Sequence, residues 1–160
     1  MVRRGLTARV GRLALGPALG LAALAAGPAH ASLGGAYASV ETDRAHLAAR
    51  ASTAQSAAFT VHSLTLANGA TVREFTRADG TVFAIAWQGP GRPDLRQLLG
   101  GYFDTFQAEN GLKAGRRTRR PLQVQHSDFV VQTSGHPGAF RGMAVLPQLA
   151  PAGFSSDDLK

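Results

Sequence analysis

The side chains best suited to chemistry in this sequence are five cations in one short stretch, which we call the basic segment (residues 113–120). They are Lys113, Arg116, Arg117, Arg119 and Arg120. Guanidinium groups this close together can form forked hydrogen bonds with phosphate, sulfate or carboxylate groups. The basic segment therefore predicts a surface that binds an anionic partner; the alternative is a solvated loop that only keeps the domain soluble. No aromatic side chain lies among the arginines, which argues against stacking on single-stranded nucleic acid.

A second candidate for recognition lies at a predicted strand-to-helix corner. Trp87 and Gln88 precede a Gly-Pro-Gly sequence, and Arg92 and Asp94 follow it. An aromatic ring, a stiff backbone and an Arg/Asp pair can together form a recognition loop. The alternative is structural: Trp87 belongs to the core, and the proline and Asp94 fix the start of a helix.

The rest of the sequence offers no motif for catalysis or metal binding. Cysteine is absent, which excludes disulfides, thiolate ligands and cysteine nucleophiles. The histidines are not spaced for a zinc site, and there is neither a Gly-x-Ser-x-Gly elbow nor a glycine-rich phosphate loop. We therefore expect no metal, no cofactor and a binding or accessory role. An enzyme of unrecognised type stays open as an alternative.

Residues 1–31 have the three parts of a secretory signal peptide. Four arginines and no acid come first, an apolar run from Leu13 to Ala26 follows, and Ala29-His30-Ala31 is a small-x-small cleavage pattern. We expect cleavage after Ala31 and export to the periplasm or the medium, by the general secretory or the twin-arginine route. The apolar run is shorter than the roughly 20 residues that a spanning helix needs, so we expect no transmembrane span after cleavage.

The positive charge of the chain is concentrated in two places. The sequence has 17 Lys and Arg against 10 Asp and Glu, a net charge of +7. Four of these cations belong to the predicted leader and five to the basic segment, and the remainder is slightly acidic. A local patch of this kind favours an anionic envelope component, or another exported protein, as the partner, and argues against sequence-specific nucleic acid.

Turn signals predict an antiparallel meander. Asn68-Gly69 and Asp79-Gly80 are typical of two-residue hairpin turns, here between strands at 59–67, 70–77 and 81–87. Turns of that length place Thr65 opposite Val72, Val61 opposite Thr76, Val72 opposite Trp87, Glu74 opposite Ile85 and Thr76 opposite Phe83. The better core face then collects Phe59, Val61, Val72, Phe83, Ile85 and Trp87. The other face is mixed and collects Leu64, Leu66, Arg73, Phe75, Ala84 and Ala86.

One amphipathic helix is predicted over residues 93–109. Its apolar side chains recur at helical spacing and should cover the better core face: Leu95, Leu98, Leu99, Tyr102, Phe103 and Phe106. Asn110-Gly111 supplies a stop signal. The pair Gly100-Gly101 in the middle of the helix indicates a bend or a close backbone approach.

The complete pattern predicts an α+β fold: an antiparallel sheet of two β-meanders, about six strands, packed by one main amphipathic helix, plus a short N-terminal helix. The second meander comprises strands at 122–126, 129–133 and 139–146. The short helix spans 40–50 with Ser39 as its cap, and Ser52–Ala58 is a linker. By this division, 1–31 is the signal peptide, 32–58 an Ala/Ser/Thr-rich segment, 59–154 the domain and 155–160 a tail. A structural subunit that assembles through sheet edges, such as Ala139–Leu146, is a further alternative.

Several stretches resemble a known family. They are residues 82–103 (VFAIAWQGPGRPDLRQLLGGYF), the start Ala-Ser-Leu-Gly-Gly at 31–35, Val72-Arg73-Glu74-Phe75, and Pro151-Ala152-Gly153-Phe154-Ser155. Together they resemble the exported proteobacterial family catalogued as domain of unknown function 2844, over nearly the whole chain after the leader. The resemblance implies an exported protein, and it carries no catalytic residues to transfer.

Overall fold

The computed structural model describes residues 33–114 and 122–160. The predicted signal peptide and the arginines at 116, 117, 119 and 120 lie outside the described residues. The helices are α1 (Tyr37–His46), α2 (Leu95–Leu99) and α3 (Phe103–Ala114). The strands are β1 (Arg50–Gln55), β2 (Thr60–Thr65), β3 (Thr71–Thr76), β4 (Val82–Gly89), β5 (Leu122–Gln125), β6 (Val130–His136) and β7 (Ala139–Val145). Short 3-10 turns lie at Gly100–Tyr102 and Ser156–Leu159.

The predicted α+β fold is confirmed, with one antiparallel sheet in the order β1-β2-β3-β4-β7-β6-β5. The two meanders join where β4 pairs with β7, from Ala84↔Val145 to Gly89↔Phe140. Since β7 is paired on both sides, Ala139–Leu146 is not a sheet edge, and that part of the prediction is wrong. In the part of the chain that the structure describes, the edges are β1 and β5.

The seventh strand is β1, in a stretch where the sequence suggested a linker. Arg50–Gln55 pairs along its whole length with β2, from Arg50↔Thr65 to Gln55↔Thr60. All six residues are exposed, so the sequence lacks the buried apolar alternation by which strands are recognised. The strand forms because a neighbouring strand offers backbone partners. Helix α1 is also displaced from the prediction: it begins at Tyr37, and the Ser39 hydroxyl donates to the Ala36 carbonyl instead of capping.

The turn between β2 and β3 is one residue longer than predicted, and this changes the register. Leu66 N donates to Ala70 O, and Gly69 adopts φ 83° in the turn. Thr65 therefore pairs with Thr71, and Leu64 with Val72. A one-residue slip moves every side chain of a strand to the opposite face. Leu64 and Leu66 consequently face the helices, whereas Phe59 and Val61 face the other side.

An irregularity in the register between β3 and β4 corrects a second pairing. Val72↔Trp87 and Glu74↔Ile85 are confirmed, but Thr76 pairs with Val82 instead of Phe83. Phe83 is the extra residue on β4, so it joins Ala84 on the face away from the helices. The prediction that the main helix covers Phe83 is thus wrong, while Ile85 and Trp87 do lie beneath it.

The predicted apolar stripe packs on the sheet as expected, although its helix is interrupted. Leu98, Leu99 and Phe106 are buried against the sheet, and Leu95, Tyr102 and Phe103 are half-buried around them. Gly100 adopts φ 50°, and the 3-10 turn that it begins separates α2 from α3. The predicted stop at Asn110-Gly111 is wrong, since α3 continues to Ala114.

The two faces of the sheet carry different cores. The helix face contains Val72, Ile85 and Trp87 under α2 and α3. The tail face contains Phe75, Phe83 and Ala84, covered by the segment after β7 through Leu149, Phe154 and Leu159. The tail covers only part of its face, which agrees with the mixed character that the sequence predicted.

Candidate anion-binding site

The structure places the described part of the basic segment at the end of α3. Lys113 lies in the last turn of that helix, and the chain resumes at Leu122 in β5. Asn110 and Leu122, on either side of the segment, line one cleft of about 370 Å³. The same cleft is lined by Arg92, Pro93 and Phe140. One of the corner residues and the described flanks of the basic segment therefore converge.

Trp87 itself belongs to the core, as the structural alternative expected. Its side chain is 5 % exposed on the helix face. It lies directly over Gly142, its partner on β7, where a Cβ atom would clash with the indole ring. Gly142 is required because only a residue without a side chain leaves room for the ring.

The other corner residues are dispersed over three roles. Asp94 caps α2, since its Oδ1 accepts from Arg96 N at 2.9 Å and from Gln97 N at 3.2 Å. The Arg92 guanidinium lies 4.9 Å from the centre of the Phe140 ring, a cation–π contact. Gln88 is exposed on the tail face. The corner residues therefore lie in different places: Arg92 reaches the cleft, and Gln88 lies on the opposite face of the sheet.

The larger cavity, of about 550 Å³, lies on the uncovered part of the tail face. We call its sheet residues the open platform: Thr71, Arg73, Gln88, Gln132, Ser134 and Arg141. Thr71, Gln88, Arg141 and Ser134 pair in one row across four neighbouring strands, so their side chains share a face. Arg73 and Gln132 belong to the next row, separated by Ala86 and Met143.

Arg141 and Gln132 were not predicted as site residues from the sequence. Arg73 was predicted on the correct face of the sheet, but without a role. Arg141 and Gln132 alternate with Gly142 and Val131, and that alternation was the available signal. This alternation did not reveal a site, because the platform forms only when β7 pairs with β4, which lies about 55 residues earlier in the chain.

Arg73 joins the open platform to the tail. Its guanidinium donates to the backbone oxygens of Leu159 at 2.6 Å and Lys160 at 2.8 Å, and to that of Asp158 at 3.3 Å. Leu159 is buried against Phe75 and Ala86 beside it. The end of the tail is thereby fixed as one wall of the cavity, with Ser156, Leu159 and Lys160 on its lining.

A separate cluster of ionisable groups is buried on the helix face. Asp43 of α1 and Glu74 of β3 are 0 % and 1 % exposed. Burial, and next the hydrogen bond and the negative charge of Asp43, raises the pKa of Glu74 to about 9. Gln97 of α2 donates to Asp43 Oδ1. The cluster therefore links α1, α2 and the sheet through a Glu74 side chain that is protonated at neutral pH.

His62 extends this polar cluster toward β1. Its ring nitrogens lie 3.2 Å from Thr53 Oγ1 and 3.1 Å from Thr76 Oγ1. Burial lowers the pKa of His62, against the opposing negative charge of Glu41. Neither cavity above is lined by Asp43, His62 or Glu74. We therefore assign the cluster to the fold and not to a binding site.

The described residues were also considered as a metal site and as a membrane span. Within 33–114 and 122–160, no three His, Asp or Glu side chains are placed together to hold a metal ion. Among the helices that the structure describes, none is long and apolar enough to cross a membrane.

The fold defines the class: an α+β domain whose single seven-stranded sheet carries helices on one face and its own tail on part of the other. The chain belongs to the family described as "Protein of unknown function (DUF2844)", whose model matches residues 29–159. Neither a curated protein nor a solved structure matches the chain.

Proposed function

We propose that this chain is exported and cleaved after Ala31, and that it acts as a non-catalytic binding or accessory domain for an anionic component of the cell envelope. The basic segment is the main binding element. One observation carries the proposal: the described arginines that have neither an acidic partner nor a hydrogen bond to the tail lie at the end of the sheet where the basic segment is attached. We call this end the arginine end.

Ion pairing separates the arginine end from the rest of the surface. Four other cations have acidic partners: Arg44 with Glu41, Arg77 with Asp79, Arg96 with Asp104, and Lys160 with Asp157. Arg50, Arg73, Arg92 and Arg141 have no ion pair with any residue that the structure describes. Of these four, Arg73 is held by backbone oxygens of the tail. Asp94, close in sequence to Arg92, is engaged as a helix cap.

Strand register places Arg50 and Arg141 at the same end, and the contact of Arg92 with Phe140 places it beside Arg141. Arg50 of β1 pairs with Thr65, and the row continues through Thr71 and Gln88 to Arg141 of β7. Leu122, the first described residue after the basic segment, pairs with Thr133 one position from that row. Chain connectivity thus adds the charges of Lys113 and Arg116–Arg120 to a surface that is already unneutralised, and a shared field attracts polyanions.

Loss of the basic segment tests the proposal. The protein from Ser32 onward is compared with a R116A/R117A/R119A variant on immobilised heparin and on vesicles with and without anionic lipid. We expect the wild-type protein to be retained in a salt-sensitive way and the variant to elute at much lower salt. The matched control is R44A/R77A/R96A, which removes the same charge from ion-paired positions and should elute near the wild type. Equal elution of the two triple variants would show that only net charge matters and would reject the site.

Export is tested independently of binding. Expression of the full chain in a Gram-negative host, followed by fractionation and intact mass measurement, should give a protein that begins at Ser32 outside the cytoplasm. Recovery of the complete chain from the cytosol alone would refute export.

Assembly through a sheet edge is the second candidate function, and one observation favours it. β1 is an edge strand of six exposed residues with a single charge, Arg50, and no proline. Such an edge is a template for pairing with another strand. A T53P variant should then lower the size of the protein measured by light scattering at high concentration. A wild-type monomer at every concentration would remove this candidate.

A further inference from the structure

We propose that the open platform is a binding site for an acidic oligosaccharide, with Arg141 as the group that recognises its carboxylate or sulfate. The inference rests on the proposed function, because it names a ligand class for the anionic partner, but it places the specific contacts on the sheet and not on the basic segment.

The shape of the platform suits an extended ligand. Thr71, Gln88, Arg141 and Ser134 form a continuous polar row across four strands, which are about 4.8 Å apart. The second row adds Gln132 and the apolar surface of Met143. The cavity volume, about 550 Å³, lies within the range of about 300–1,000 Å³ typical of small-ligand sites.

The tail covers the neighbouring part of the same sheet face and is held at the border of the platform. The third row of the tail face contains Phe75, Ala84 and Val145, and the tail covers it with Phe154 and Leu159. The hydrogen bonds of Arg73 to Leu159 and Lys160 hold the tail there. The rows beyond Arg73 therefore stay exposed while the apolar rows are covered.

The chemistry of the lining selects the ligand class. Hydroxyl and amide groups both donate and accept hydrogen bonds, which matches the many hydroxyl groups of a sugar. Met143, which is half-buried, offers apolar surface for the C–H face of a sugar ring. No Asp or Glu is found among the described residues that line the cavity. Arg141 is exposed without an acidic partner in the described chain, so its fork is available for a carboxylate or sulfate.

Other anionic ligands fit the platform less well. A single-stranded nucleic acid needs aromatic rings on which bases stack. Trp87 is the aromatic residue on the cavity lining, and it is only 5 % exposed because its ring packs over Gly142 on the helix face. Inorganic phosphate would use Arg141 alone and leave the amides of Gln88 and Gln132 without a role.

The test is a titration followed by heteronuclear NMR, using the protein from Ser32 onward. The probes are a galacturonic acid trimer, a neutral glucose trimer, inorganic phosphate and a short oligodeoxythymidine. We expect saturable shifts with the acidic trimer, at backbone amides of Thr71, Gln88 and Ser134, and weak or no binding of the neutral trimer. R141A should weaken binding of the acidic trimer by about tenfold or more, since it removes a charge-assisted hydrogen bond. Q132A should weaken it by a smaller factor.

Two controls separate the platform from the basic segment. R44A removes one arginine that is paired with Glu41 and should leave the affinity unchanged. R116A/R117A/R119A should lose heparin retention and keep the shifts at Gln88 and Ser134. Unchanged thermal unfolding of R141A and Q132A shows that both variants are folded.

Each outcome decides between the proposals. Absence of shifts on the platform with every probe, while heparin retention persists, overturns this inference and leaves the proposed function intact. Equal binding of acidic and neutral trimers, or tighter binding of phosphate or oligodeoxythymidine, overturns the ligand class. Platform binding that survives when heparin and anionic vesicles are not bound supports this inference and rejects the basic segment as the main element.

Discussion

The same strands form both faces of the sheet, but the two faces are covered by different elements. On the helix face, α2 and α3 bury Val72, Ile85 and Trp87. On the tail face, a short irregular segment buries Phe75 and Phe83, and the rows toward the arginine end stay in contact with solvent.

The difference separates the part of the sheet that stabilises the fold from the part to which our binding proposal assigns recognition. Helices supply a long apolar stripe and remove whole rows of strand side chains from water. The tail supplies only a few contacts, with Phe154 edge-on to Phe83 at 4.8 Å and Leu159 beside Arg73. The tail leaves polar rows exposed on its side of the sheet, and the binding residues that we propose there lie apart from the helix-face core.

We expect the largest loss of stability from a substitution in the helix-face core. Leu99, the last residue of α2, is fully buried, so L99A should lower the free energy of unfolding by about 2–5 kcal/mol through lost burial and a residual cavity. Chemical denaturation measures it. A loss below about 1 kcal/mol would mean that the helices contribute little to the core. Tyr37, the exposed aromatic on α1, gives the control, because Y37A should change stability far less.

A second prediction uses the buried carboxyl pair on the helix face. Because the pKa of Glu74 is raised in the folded state, to about 9, the folded protein holds this proton more tightly than the unfolded chain does. Its contribution to stability is complete below pH about 4.5 and is lost as the pH rises toward about 9, by up to about 1.4 kcal/mol per pH unit for one proton. E74Q keeps the hydrogen-bond donor without the charge and should remove most of this loss.

The window from pH 7 to 9 isolates Glu74 from the neighbouring histidine. Burial lowers the pKa of His62, so its effect on stability has the opposite pH dependence. The stability contributed by neutral His62 is lost as the pH falls below the ordinary histidine pKa of about 6.5. Denaturation curves of the wild type and E74Q should therefore diverge as the pH rises from 7 to 9. Parallel curves would show that Glu74 is not held in its protonated form.

The parts of the fold that the sequence predicted are those with a local signal. The spacing of Leu95, Leu98 and Leu99 identified the main helix and the side that packs, and Asn68-Gly69 and Asp79-Gly80 identified both turns. A turn motif does not determine its own length to one residue. The register error at Leu64 and Phe59 followed from that, and it reversed the assignment of several side chains to faces.

The parts that were missed depend on partners distant in sequence. β1 carries no apolar alternation and exists because β2 offers it an edge. The open platform forms because β7 pairs with β4, and Arg73 holds the tail at its border. The basic segment was visible from composition alone, while Arg141 in a run of alternating strand residues was not.

The third prediction concerns the core of the tail face, which the F154A substitution should weaken. Phe154 is half-buried and contacts Phe59, Phe75 and Phe83 edge-on or nearly so. F154A should lower the free energy of unfolding by about 1–3 kcal/mol, less than L99A. Amide hydrogen exchange should become faster in the segment after β7 and stay nearly unchanged in α2. Uniform acceleration in both regions would show that the two cores do not behave separately.

The smallest expected effect concerns the N-terminal cap of α2. The Asp94 carboxylate caps α2 through two backbone amides, so D94A should lower stability by about 1 kcal/mol, with no change in the retention of the protein on heparin. The matched control is D104A, which removes an exposed carboxylate 3.7 Å from the Arg96 guanidinium and should cost less than about 0.5 kcal/mol. A larger loss in D104A than in D94A would reject the cap as the start of the helix. A change in heparin retention by D94A beyond that of D104A would instead return Asp94 to the recognition role that the sequence had suggested, and the binding residues would then extend onto the helix face.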